Sequence, residues 1–366
     1  MGSAALYNLA LRGIDVIGFD PLVVGEKRGS SHGTCRVFRL YNYENAAYTD
    51  LSARAFAAWS LLEKTSGNTV LLPSLVVEAG APDSAHMRDV RAVRAPATRT
   101  PTCGAELNRE FPAFQLPADW EVFVQDTGGI LLADVALRTF RQGATGRVVH
   151  QAVSINRTTQ EIVLTTSDGT RFATRQMILT VGPWITDFVP QLRDFVTITR
   201  QAVGWFAPSV PDRVQYPNFP IFMLDAPAGL IYGFPNFEGK GVKAANHNHG
   251  RKVNNADEVC QDASADDLTS VIETLQKFIP AAGGELLSKE VCLYTNTAAG
   301  DVDGSRAEEF IIDRLPDDHR IIVVSACSGH GFKFASAIGE IVAEMAVNNS
   351  SVVGQDFSLK KFSAFL

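Results

Sequence analysis

Hydrophobic and polar positions change period several times along the chain. Ala5, Leu6, Leu9 and Ala10 recur at helical spacing between Gly2 and Arg12, and Gly13 stands where a helix end favours glycine. The apolar run Ile14 to Phe19 then predicts a strand closed by Asp20-Pro21, followed by a Gly-rich loop from Gly25 to Gly33. A long amphipathic helix is predicted from about Tyr48 to Leu62. The segment Ala79 to Gly104, dense in Ala, Pro, Thr and Arg, has weak periodicity and reads as peripheral loop and helix, and Gly128-Gly129 reads as a turn. From Gly146 onward alternation dominates, with strands predicted at Val148–Ile155, Glu161–Thr166 and Arg171–Thr180; Ser167-Asp168-Gly169 is the turn between the last two. Gln201–Phe206, Gly229–Phe234 and Gly241–Ala245 continue the β pattern as antiparallel strands, and helix returns at Asp266–Phe278 and after Phe332.

Helix and strand alternate at both ends of the chain, with β-rich material between them. That order predicts an α/β domain assembled from separated pieces, with a second domain inserted into it. The 366 residues, 46% of them hydrophobic, suffice for two cores. A net charge of −7 argues against nucleic acid or an anionic membrane as partner. No apolar run approaches the roughly 20 residues of a membrane span, and no secretory leader opens the chain. Cys35, Cys103, Cys260, Cys292 and Cys327 are odd in number and unpaired in spacing, which predicts no metal site and a reducing, cytoplasmic compartment.

Two local patterns carry chemistry. The N-terminal helix and strand, ending in Asp20, match the second half of a dinucleotide fingerprint. Gly2 permits close approach at the start of the helix, and Asp20 stands 18 residues later, near the usual spacing of about 20. That pattern expects a first strand and two further glycines ahead of residue 1, and a plain βαβ unit reads equally well from these residues. Near the other end, the apolar run Arg320 to Ala326 empties into Cys327-Ser-Gly-His-Gly-Phe-Lys333. Glycines let backbone N–H groups approach a ligand, and a lysine among apolar neighbours needs an anionic partner. Together they describe a floor for an electron-accepting ring with an ammonium beside it.

With four blocks considered together, the chain resembles the monomeric sarcosine oxidase and N-methyltryptophan oxidase family of flavin amine oxidases. The blocks are Gly29 to Arg39; Tyr232-Gly-Phe-Pro with Gly241 to His247; Val291-Cys-Leu-Tyr-Thr295; and Ser328 to Lys333. The resemblance implies a glutathione-reductase-like, Rossmann-type FAD domain (residues 1–75, 130–190 and 300–366). An inserted antiparallel-sheet substrate domain (76–129 and 191–299) would cover the flavin.

The resemblance also implies roles. Arg39 and Lys333 would clamp a substrate carboxylate, with His32 and Arg36 against the flavin; spaced i, i+3, the two arginines would face one way if their segment turned helically. Lys243, by itself an ordinary solvent-face lysine of a strand, would activate O2, and His247, on the same side, would sit beside the amine. Tyr232 and Met223 would line the substrate cavity. Cys292, otherwise an inert strand thiol, would attach covalently to FAD, while Cys35 and Cys327 receive no such role. Further cofactor contacts fall on Gly2, Asp20, Ser31, Thr34, Val153, Trp184, Gly329, Gly331, Phe332 and Lys333.

The activity so implied is oxidation of a small carboxylated secondary amine to an imine, with O2 reduced to H2O2, by a cytoplasmic monomer. Two alternatives stand beside it: a pipecolate or fructosyl-amino-acid oxidase of the same family, and a truncated remnant unable to hold FAD.

Overall fold

The computed structural model describes residues 1–44, 46–93, 102–144, 147–247, 250–298, 308–349 and 354–362. The helix Gly2–Leu11 buries Ala4, Ala5, Leu6 and Leu9. Its small residues let it lie directly on the C-terminal helix Ala335–Asn348, where a Cβ on Gly339 would come within 2.5 Å of the Ala4 Cβ. The helix Ala47–Ser66 closes the same core, which collects Phe38, Tyr48, Trp59, Phe140, Phe310 and Phe334. Among the described strands, those that pair in parallel lie in this half and at one step of the large sheet. Gly18–Phe19 runs parallel to Val148–Val149, and Met177–Leu179 to Ile321–Ser325, which also pairs antiparallel with Ile311–Arg314.

The second core lies against a nine-stranded sheet whose strands come from residues 76–125 and 196–297. Val196–Phe206 pairs antiparallel with Leu286–Thr297, the longest strand of the sheet, and with Val242–Asn246 and Arg251–Val253. Gly229–Phe234 and Ile221–Ala226 continue the sheet to Val76–Gly80, joined to Ile221–Ala226 in parallel. The helix Thr269–Phe278 covers one face through Val271, Leu275 and Phe278, packed with Phe206 and Phe222. A three-stranded sheet of Cys35–Arg39, Gly128–Leu132 and Leu71–Pro73 links the halves. Cys35 and Ile130 face the large sheet with Val76, Ile221 and Phe234, whereas Phe38 and Leu131 face the helical core.

Several elements differ from expectation. Only Gly18–Phe19 of the first predicted strand is extended, because it finds a partner at just those positions, and Ile14 and Ile17 remain exposed. The expected Val148–Ile155 strand divides into Val148–Val149 and Val153–Arg157, each in a different sheet. Arg171–Thr180 likewise divides into Arg171–Thr174 and Met177–Leu179, since the chain leaves the small antiparallel sheet to join Ile321–Ser325. Ala79 and Gly80 are not peripheral: they end the wholly buried strand Val76–Gly80 inside the large sheet. Gly128 and Gly129 are strand, not turn, since their missing side chains let the backbone lie against Ser74 and Leu72 carbonyls.

Trp59 ties the helical core to the Cys327–Lys333 turn. It is wholly buried, its ring lies 5.4 Å from that of Phe140, and its Nε1 donates to the Lys333 carbonyl at 2.8 Å. Trp59→Ala is therefore expected to lower the unfolding free energy by about 3–5 kcal/mol, measured by denaturant titration, because it opens a cavity and frees a buried carbonyl.

Candidate active site

A cavity partly open to solvent lies where the bridging sheet, the large sheet and the Cys327–Lys333 turn meet. Its walls bring together Ser31, His32, Arg36, Arg39, Met223, Tyr232, Lys243, His247, Cys292, Gly329, Gly331, Phe332 and Lys333. These residues are separated by up to three hundred positions, and the register of the strands carries them to one place. Met223 and Tyr232 are cross-strand partners, and Lys243 pairs with Trp205 on one side and Phe234 on the other.

The floor depends on two glycines. Gly329 has φ +75°, and a Cβ there would stand 2.6 Å from the Tyr294 ring; one on Gly331 would stand 1.8 Å from the Ala326 carbonyl oxygen. No other residue fits either position. The turn closes with His330 and Gly331 N–H groups both donating to the Cys327 carbonyl at 2.9 Å, and Lys333 follows in the short 3₁₀ turn Gly331–Phe334.

One end of the cavity is a buried charge cluster. Arg39, 3% exposed, makes a short ion pair with Glu44 and a longer one, 3.5 Å, with Glu78, and its guanidinium lies 4.2 Å from the Tyr43 ring centre. Lys333 Nζ is 3.9 Å and His330 Nδ1 3.5 Å from the same Glu44 carboxylate. Gln125 Nε2 donates to Glu78 at 2.9 Å and fixes it from behind, with His86 Nε2 at 3.5 Å on the other side. Burial alone would push the Glu44 carboxyl up, but Arg39, with Lys333 beside it, outweighs burial and holds it well below the usual carboxylate range. Burial lowers Lys333 to about 7 against the opposing pull of Glu44, and lowers His330 to about 4. His330 therefore stays neutral, with Nε2 donating to the Glu308 carbonyl at 3.1 Å.

Arg36 and Arg39 do not share a face, as a helical turn would have required. Cys35–Arg39 is a strand held by Gly128–Leu132, so the two side chains alternate. Arg36 caps the loop instead, donating to the carbonyls of Ser30 (3.1 Å), His32 (2.6 Å) and Cys35 (2.9 Å), with its guanidinium 5.7 Å from the Phe332 ring centre. At the second pole, Lys243, 5% exposed, donates from Nζ to the Cys35 carbonyl at 3.0 Å and lies between the Trp205 and Phe234 rings. Burial lowers its pKa. His247 lines the same cavity, with Nε2 at 3.1 Å from Glu308 and Nδ1 at 3.5 Å from the Tyr294 hydroxyl. Cys292, half-buried, faces the cavity beside the Ser30 carbonyl, 3.9 Å away.

Five expected contacts lie outside the cavity walls. Gly2 abuts Thr180, the Asp20 carboxylate is held by Arg141 and the Leu22 N–H, and Val153 begins an edge strand of the small sheet. Trp184 hydrogen-bonds Asp257 at 3.0 Å, and Thr34 borders a separate small cavity. Sequence reasoning missed Glu44, Glu78, His330 and Glu308. Glu78 had a usable signal, a lone acid in an apolar β run. Cys35 and Cys327, which had no assigned role, both line the cavity.

A cleft with two separated cationic neighbourhoods over a glycine floor can accommodate a planar electron acceptor and an anionic ligand. The sequence matches the family described as "DAO: FAD dependent oxidoreductase" over residues 1–345. It is 31% identical to N-methyl-L-tryptophan oxidase of Yersinia pestis (strain Pestoides F) over 373 residues, covering 99% of this chain and 96% of that one. It is 28% identical to monomeric sarcosine oxidase of Bacillus sp. (strain B-0618), covering 96% and 90%. Among solved structures, NikD, an unusual amino acid oxidase essential for nikkomycin biosynthesis, superposes with a TM-score of 0.79 at 18% identity, covering 96% and 92%. L-proline dehydrogenase from P. horikoshii gives 0.76 at 17%, covering 96% and 91%. The chain belongs to the FAD-dependent oxidoreductase family and is an FAD-dependent amine oxidase of the sarcosine oxidase type. The residues present fit the flavin: Phe332, Arg36 and Cys292 line one cavity with the glycine turn, and the N-terminal end of the helix Gly2–Leu11 reaches that cavity through Met1.

With Glu44 held ionised and His330 held neutral, Lys333 is the member of this trio that titrates near neutrality. A carboxylate entering here needs its ammonium form, which is present below about pH 7 and lost above it. The dissociation constant of acetate, read from the flavin absorbance, is expected to stay flat below pH 7. Above that it should rise about tenfold per pH unit, and the rise should vanish in Lys333→Met.

Proposed function

We propose that this protein oxidises a small carboxylated secondary amine of the N-methyl amino acid type, passing the electrons to dioxygen. The observation that carries the reading is the pair of cationic poles on one cavity, buried Arg39 with Lys333 and buried Lys243 with the half-buried Arg36. Relatives named for sarcosine and for N-methyl-L-tryptophan support the same substrate class.

In this reading a substrate carboxylate takes the place of Glu44 on Arg39 Nη2 and on Lys333, while Glu78 keeps the guanidinium oriented. The planar fork suits a carboxylate, and fixing both ends of the substrate lowers the entropic part of the barrier. Tyr232 and Met223 wall the cavity, and His247, oriented by Glu308, faces the nitrogen end. Bound FAD supplies the two-electron acceptor. The amine loses two electrons and two protons to become an imine, which water splits into an amine and an aldehyde. Dioxygen takes up the two electrons and two protons as hydrogen peroxide.

Lys243 is the group that stabilises negative charge as it forms on oxygen, because it is a fixed cation in a water-poor wall. His32, Arg36, Ser31 and the Gly329–Lys333 turn would hold the flavin ring, with a thioether from Cys292. Gly2, Asp20, Thr34, Val153 and Trp184 would serve the remainder of the cofactor. The antiparallel portion, 76–129 and 191–299, acts as the substrate domain over an FAD domain made from the rest. We place the protein, as a monomer, in a reducing cytoplasm, in keeping with its free cysteines.

Stopped-flow kinetics test the assignment. Lys243→Met should slow reoxidation of the amine-reduced flavin by dioxygen about 10²–10³-fold while anaerobic reduction stays within about twofold. Unchanged reoxidation would remove Lys243 from the oxygen reaction.

A further inference from the structure

Glu78 is a charged residue on the wall that carries Met223 and Tyr232. In the large sheet Glu78 pairs with Met223 in parallel register, and Met223 with Tyr232 across the next strand pair, so the three side chains share one face. Met223 and Tyr232 line the cavity, and Glu78 continues their row one strand farther on, about 4.8 Å away by the ordinary spacing of strands. It is 1% exposed. Its Oε1 lies 3.5 Å from Arg39 Nη1 and accepts from Gln125 Nε2 at 2.9 Å, and its Oε2 faces His86 Nε2 at 3.5 Å. Burial pushes the carboxyl up, but Arg39, with His86 beside it, outweighs burial and holds it below the usual carboxylate range. Glu78 is therefore an anion at neutral pH. Packing does not call for one here, since a buried charge is costly and Glu44 already pairs with Arg39 more closely.

We propose that Glu78 sets the substrate class by repelling a second anion, so that the site takes amino acids with neutral or basic side chains and rejects those with acidic ones. The proposal rests on the reading above, in which Arg39 and Lys333 hold the substrate carboxylate, and adds what the rest of the substrate must be. Any substrate held by Arg39 lies close to Glu78, because the same guanidinium meets both. The clamp end already carries Glu44, Glu78 and Glu308 against Arg39 and Lys333, with His330 neutral. A zwitterionic amino acid brings one carboxylate and one ammonium and leaves that balance unchanged. An acidic side chain adds an uncompensated anion in a water-poor wall, where like charges repel more strongly than in water. Discrimination of this kind works through a built-in repulsion and not through a closer fit.

An isosteric pair of amines tests it: N-methyl-L-glutamine and N-methyl-L-glutamate, each mixed with the FAD-loaded protein at neutral pH without oxygen. The quantity read is the rate constant of flavin reduction divided by Kd. In the parent the amide is expected to exceed the acid by about tenfold or more, and in Glu78→Gln by no more than about threefold. Because the readout is a ratio, a loss of rate common to both substrates, as from a loosened Arg39, does not move it. Glu78→Met, which fills the same space without charge, gives the same reading should the glutamine variant not fold. A parental ratio below about tenfold overturns the proposal, as does a ratio of that size that persists in the variants. A parent reduced by sarcosine but by neither member of the pair overturns it too. A parent that no N-methyl amino acid reduces, sarcosine included, overturns the amine reading itself, and is distinguishable because sarcosine is mixed first.

Discussion

The site is organised by a single carboxylate. Glu44 accepts from Arg39 and lies within 4 Å of both His330 and Lys333, with all four side chains almost completely buried. Removing ions from water is costly, and a buried cation without an anion would neutralise or unfold its surroundings. Glu44 thus makes it possible for an arginine and a lysine to wait in an apolar wall. A ligand that offers a carboxylate of its own can exchange with it at little electrostatic cost, whereas a neutral ligand gains nothing from the exchange. The cluster lends selectivity more than stability.

The same constraint explains the architecture around it. Arg39 ends a strand of the bridging sheet, Glu78 sits in the large sheet, and Lys333 follows the floor turn whose carbonyl is gripped by Trp59. Each half of the molecule contributes part of the cluster: Arg39, Glu44 and Lys333 come from one, and Glu78, held by Gln125 and His86, comes from the other. Lys243 is held apart from this group on a central strand, between two aromatic rings, with its hydrogen bond going to a backbone carbonyl and not to an acid. One cationic pole is therefore neutralised in advance and the other is not. That difference suits one to an incoming carboxylate and the other to charge that appears only during reaction.

Most of the residues that line the candidate site were singled out in the sequence because they lie in short blocks with unusual composition. Gly329, Gly331 and Lys333 in six residues, or Arg36 and Arg39 behind Gly33, stand out from the apolar runs around them. The strand Gly229–Phe234 and the helices at both ends were also readable from period alone. Register was not. The face on which Arg36 lies depends on its partner strand Gly128–Leu132, almost a hundred residues away, and a pair of glycines there looked like a turn because nothing local reveals that Leu72 and Ser74 press against them. The buried acids were missed for a related reason: Glu44 and Glu78 acquire meaning only through Arg39, and sequence alone does not bring them together. Val76–Gly80 was obscured by the unpatterned segment that follows it.

The central claim is that a substrate carboxylate exchanges with Glu44 on Arg39 and Lys333. It is tested most directly by mixing FAD-loaded protein without oxygen against N-methyl amino acids and, separately, against the same amines lacking the carboxyl group, while following the flavin absorbance. The account predicts that an acid bleaches the flavin and that its decarboxylated counterpart leaves it yellow. Equal bleaching by the decarboxylated amine would contradict it.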